Sequence, residues 1–144
     1  MSFNKFTLFA ASVAAMLASA TVPAFAQQYR GTVTLPFETR WGGTVLPAGD
    51  YAITTDAAQV LPSIHVRGEG VSFTVLSGPV SFTGADENKG WMEIADVNGT
   101  HVVTKLHSGL GGRDFVFAIP KDLKRQGYGM AALQKASIPV TSGR

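Results

Sequence analysis

From Tyr29 onward, apolar and polar residues take turns along the chain. Tyr29, Val33, Leu35 and Phe37 share one parity, with Arg30, Thr32, Thr34 and Glu38 between them. A period of two marks an extended strand with one buried face. The pattern returns over Tyr51–Thr55, at Ile64 and Val66, and at Val71, Phe73 and Val75 with Ser72 and Thr74 opposite. It continues through Val80–Phe82, Trp91–Val97, Thr100–His107, and Phe115, Phe117 and Ile119. Turn chemistry separates these runs: Gly42-Gly43, Pro47-Ala48-Gly49-Asp50, Gly78-Pro79, the polar stretch Gly84–Gly90, Asn98-Gly99 and the glycine-rich Ser108–Gly112. Such residues tolerate positive φ or pre-set a turn. Seven or eight short strands with little helical spacing predict an all-β domain, a single antiparallel β-sandwich or small β-barrel. Up-and-down and Greek-key orders fit the pattern equally well.

The two ends read differently. Residues 1–26 carry Lys5 in a short head, an apolar run from Phe6 to Leu17, and Ala24-Phe25-Ala26 at the positions a signal peptidase reads. This is the pattern of a secretory signal peptide, and the run is too short to span a bilayer as a helix. Residues 27–120 form the expected β-domain, and residues 121–144 a basic C-terminal tail. The domain holds six basic residues against nine acids, the tail five against Asp122 alone. The tail is expected to be loosely held, partly helical or disordered. Met130–Lys135 favours helix and Ser137–Thr141 favours an extended chain. Its charge suits either solvent or contact with an anionic surface. Nucleic acid is a poor partner for so few basic residues without interleaved aromatics.

Candidate chemistry is sparse. Apolar content of 45% argues for a packed core, and the absence of cysteine removes disulfides, thiolate metal sites and thiol nucleophiles. His101 and His107 lie about 20 Å apart if they share one strand, so they cannot share an ion, and nothing in the sequence brings His65 to either. No Gly-x-Ser-x-Gly elbow surrounds Ser77 or Ser108. Glu38, Asp50, Glu93 and Asp96 read as solvent-facing acids, with Glu93 and Asp96 on opposite strand faces. Gly109-Leu110-Gly111-Gly112-Arg113 precedes a strand, not the helix that a phosphate cradle needs. No catalytic, cofactor-binding or metal residue is assigned. Trp41, beside the Gly42-Gly43 turn, is a candidate partner contact if exposed, and Ile138 and Val140 are candidates if the tail docks.

One stretch carries a resemblance. Leu35-Pro36-Phe37-Glu38, then Gly42-Gly43, then Leu46-Pro47-Ala48-Gly49-Asp50-Tyr51 resembles the opening of a group of short secreted bacterial proteins of uncharacterised function. They share an apolar-Pro-Phe strand, a glycine turn and an L-P-A-G-x-Y segment. The resemblance covers mainly residues 33–53 and brings no activity or site residues with it. Its physical content is a turn in which Pro47 fixes φ, Gly49 permits a left-handed conformation, and Tyr51 re-enters the core.

These readings converge on an exported, periplasmic or extracellular β-domain without enzymatic activity that works by binding or assembly. Protein partners or self-association would use strand edges or the tail, with no transmembrane segment in the mature chain. A chain lacking residues 121–144 is then expected to lose self-association while keeping its β-sheet. The alternative is a carrier that holds a small hydrophobic ligand in a barrel interior. A small hydrolase ranks below both, for want of a nucleophile, base or metal set. A membrane-spanning barrel ranks lowest, because the strands are short and interrupted by proline.

Overall fold

A computed structural model describes residues 28–56, 61–82, 89–109, 111–125 and 134–143. The expected signal peptide lies outside the described residues. Eleven strands run in chain order: β1 (Tyr29–Leu35), β2 (Thr39–Trp41), β3 (Thr44–Leu46), β4 (Gly49–Asp56), β5 (Ser63–Gly68), β6 (Val71–Leu76), β7 (Val80–Phe82), β8 (Gly90–Val97), β9 (Thr100–Ser108), β10 (Arg113–Val116) and β11 (Gln134–Ser142). Among the described residues one short helix, α1 (Lys121–Arg125), precedes the last strand.

All eleven strands belong to one sheet, in the order β3-β2-β9-β8-β11-β1-β4-β5-β6, with β10 joining β9 to β7. The sheet curls almost closed because one extended run changes partner. β6 pairs with β5; the Ser77 N–H then donates to the Pro62 carbonyl at 3.0 Å and the Gly78 N–H to the Val116 carbonyl at 2.8 Å, and β7 goes on to pair with β10. Gly78-Pro79, read from sequence as a break, is where this run crosses from one side of the seam to the other. Among the described residues every ladder is antiparallel except the short parallel pairing of β2 with β9. The fold is an all-β, barrel-like sheet, as the alternation predicts.

Apolar parity decides which side faces in. Val33, Leu35, Ile53, Ile64, Val66, Met92, Ile94, Val103, Leu106 and Phe115 fill one core. Arg30, Thr32, Thr34, Asp50, His65 and Arg67 face out. Thr104 is an extra residue on β9, since Glu93 pairs with Lys105 while Ile94 pairs with Val103. Its hydroxyl donates to the Glu93 carbonyl at 3.2 Å. Beyond this bulge Val97 and Val102 turn away from the core and are covered by Leu123 of α1 and by Ile119. Arg40 fastens α1 to β2 through a 2.6 Å ion pair with Asp122, and this hydrogen bond holds the Asp122 carboxyl below its ordinary pKa. In the L-P-A-G-x-Y segment, Gly49 adopts a φ of +155° and the Tyr51 hydroxyl donates to the Pro47 carbonyl at 2.7 Å. Burial raises the pKa of that hydroxyl.

The C-terminal segment corrects the sequence reading. Lys121–Arg125 is helical, but Gln134–Ser142 is an interior strand, paired with β8 along Gln134–Val140 and with β1 along Val140–Ser142. Glycines make the space for it. A Cβ on Gly31 would meet the Val140 side chain at 2.8 Å, and one on Gly90 would collide with the Tyr29 hydroxyl. Glycine within a strand here marks close approach, not a turn. Proline cannot donate to a ladder, and the β1 pairing begins at Val140, one residue past Pro139.

Candidate functional site

β8 and β11 together build a groove on the outer face of the sheet. Because β11 runs antiparallel to β8, Pro139 pairs with Trp91 and Ser137 with Glu93, and these residues point away from the core. Ser137, Pro139, Thr141 and Ser142 form an exposed floor, with Lys89, Trp91 and Glu93 beside it. The groove has a volume of about 790 Å³ and is open to solvent.

Trp91 is held in place by a polar cluster on the neighbouring strands. Its indole stacks on the His107 ring, with centroids 5.2 Å apart and planes 12° from parallel. The Lys105 ammonium lies 5.9 Å from the indole centroid. Both partners converge on Asp114 of β10: His107 Nδ1 makes a hydrogen bond to Asp114 Oδ1, and Lys105 Nζ stands 3.7 Å from Asp114 Oδ2. His107 and Asp114 are 1% exposed each, so an unpaired charge here would be costly. This set of contacts holds the plane of Trp91. His107 Nε2 is buried and has no hydrogen-bond partner among the described residues.

Removing one member of this cluster has a measurable cost. In Asp114→Ala the buried imidazole loses its partner and Lys105 its counter-charge. An unsatisfied buried hydrogen-bonding group costs about 1–3 kcal/mol, and the part-exposed Lys105 adds little, which places this variant at about 2 kcal/mol. Replacing both partners, as in Asp114→Leu with His107→Phe, should recover much of that loss. Urea unfolding of the two variants checks this; a double variant no more stable than the single one would contradict the pairing.

The structure separates the residues that the sequence nominated. Trp41 is 1% exposed, packed edge-on against Phe73 and Phe117, so the partner contact that depended on its exposure is corrected to a core position. Val140 lies in the same core, and Ile138 is half-buried against it. Both belong to the docked strand and are covered by their own chain. The three histidines stay apart: His65 is exposed and bonded to Thr74, His101 stacks on Phe37, and His107 sits under Trp91. Among the described residues no three His, Cys, Asp or Glu side chains form a group that could hold a metal ion. Asp50 accepts from Thr34, and Asp96 accepts from the Gly99 N–H in the Asn98-Gly99 turn, so these acids tie local structure together.

Sequence reasoning missed Asp114 and Trp91. Pairing β9 with β10 across the Ser108–Gly112 connector would have set Asp114 opposite His107, the one signal available in the sequence. Comparison with known proteins adds no further guide: no protein family, no curated protein and no solved structure matches the chain.

Proposed function

We propose that the chain is an exported, non-enzymatic β-barrel module that acts by binding, with the β8–β11 groove as its binding surface. The observation that carries this reading is the pre-fixed Trp91 beside an open, largely apolar groove of about 790 Å³ that also carries the hydroxyls of Ser137, Thr141 and Ser142. The interior offers less to a ligand carrier: Trp41, Phe115, Leu106 and Met92, each 1% exposed or less, occupy it. His107 would be the natural base of a hydrolase, but a ring enclosed beneath Trp91 meets no substrate. No described helix is long and apolar enough to cross a membrane. Along β1, β4 and β5 polar side chains face outward and apolar ones inward, the opposite of a barrel embedded in lipid. Export rests on the 1–26 pattern, and the secreted bacterial group that residues 33–53 resemble is consistent with it. The exposed Lys121, Lys124 and Arg125 of α1 keep contact with an anionic surface open as a second interaction.

The test compares wild type with Ser137→Lys/Thr141→Lys, which fills the groove floor, both recovered from the native cell envelope. Wild type should retain an envelope component that the filled variant loses, and its mature N-terminus should be Gln27. Equal retention by both proteins would remove the groove from the proposal.

A further inference from the structure

We infer that the groove takes a neutral glycan chain, an inference that rests on the reading of the groove as the binding surface. Three features of its lining select that class. First, the groove is balanced in charge, with Lys89 and Glu93 on opposite sides of neutrality and hydroxyls from Ser137, Thr141 and Ser142 along the floor. Polyanions such as nucleic acid need a surplus of cations, which this lining lacks. Hydroxyls that both donate and accept hydrogen bonds match the hydroxyls of a sugar.

Second, Trp91 supplies a flat apolar wall whose orientation is set in advance by His107, Lys105 and Asp114. A pyranose presents a flat face of C–H bonds, and an aromatic ring that is already immobile loses little entropy on covering it. Third, the geometry disfavours a peptide. Extended peptides gain affinity by adding to a free strand edge. β11 pairs with β8 along Gln134–Val140 and with β1 along Val140–Ser142, so the free backbone edge on either side is short and offers an extended peptide few ladder bonds. The run Ser137–Ser142 is about 17 Å long, enough to seat several sugar rings in a row.

The experiment titrates the full-length mature protein with neutral tri- to hexasaccharides of the cello-, xylo- and chito-series, followed by calorimetry and tryptophan emission. The chain has two tryptophans, and Trp41 is buried away from the groove, so a groove ligand must alter the emission of Trp91. The expected result is saturable binding that tightens with chain length, a shift in emission that vanishes in Trp91→Phe, and about tenfold weaker binding in Trp91→Ala. Asp114→Asn serves as the positioning variant: it should weaken binding while leaving the far-ultraviolet circular dichroism unchanged. If no neutral oligosaccharide binds while envelope material is still retained through the groove, the glycan assignment falls and the groove survives. Oligosaccharide binding that ignores both Trp91→Ala and Ser137→Lys/Thr141→Lys would overturn the glycan site and the groove together.

Discussion

A chain that stops after Leu133 will lose its cooperative fold. Residues 134–142 lie between β8 and β1, so their removal leaves two interior strands with unpaired edges and opens the core beside Met92, Ile94 and Tyr29. Each lost backbone hydrogen bond costs about 0.5–1.5 kcal/mol, and withdrawing Val140 and Ile138 from the core adds up to about 1.5–3 kcal/mol apiece. Together these rival the whole stability of a small domain, about 5–15 kcal/mol. The expected outcome is the reverse of what a loosely held tail implies, namely a shortened chain with an unchanged sheet. Far-ultraviolet circular dichroism and a thermal scan measure it. A synthetic peptide of residues 134–144, added in excess, should restore both the spectrum and the transition, and a scrambled peptide should not. A shortened chain with the wild-type melting transition would show that β11 is dispensable.

Trp41→Ala should be the most damaging single substitution of an aromatic residue. Its indole is 1% exposed and meets Phe73 and Phe117 edge-on, at centroid distances of 6.3 and 5.2 Å. Truncating a buried Trp costs about 3–5 kcal/mol, most of which is cavity and lost dispersion. The indole N–H has no partner among the described residues, so Trp41→Phe removes an unsatisfied donor along with some volume and should lose less than half as much. Trp91→Ala, from a half-buried wall, should cost about 1 kcal/mol. Urea unfolding ranks the three. Equal losses for Trp41→Ala and Trp91→Ala would mean that the β2–β3 hairpin does not carry Trp41 into the core.

The burial of Trp41 has a physical reason that local sequence does not carry. Local sequence shows an indole next to Gly42-Gly43, and a turn is ordinarily a surface feature. The β2–β3 hairpin instead fits between β9 and β6, where a Cβ on Gly42 would come within 3.4 Å of Val75. Wall space of that kind exists only once distant strands have curled around it. The tail behaves in the same way. Ala136, Ile138 and Val140 do alternate with Ser137, Pro139 and Thr141, but Pro139 and the basic charge around them point to a free segment. The vacancy between β1 and β8 becomes visible only when Gly31 and Gly90 are seen to face it.

What the amino-acid order determined by itself was which side of each strand is apolar and where the chain turns. Those properties come from neighbours one to four residues apart, and they suffice for an all-β architecture. Strand order, the closure through Ser77 and Gly78, the burial of Trp41 and the placing of β11 were decided by tertiary structure. So was the candidate site, because Trp91, Lys105, His107, Asp114 and the floor of the groove come from four strands. Side chains so far apart in sequence meet only after the barrel has closed, when burial has made each of their contacts costly to break.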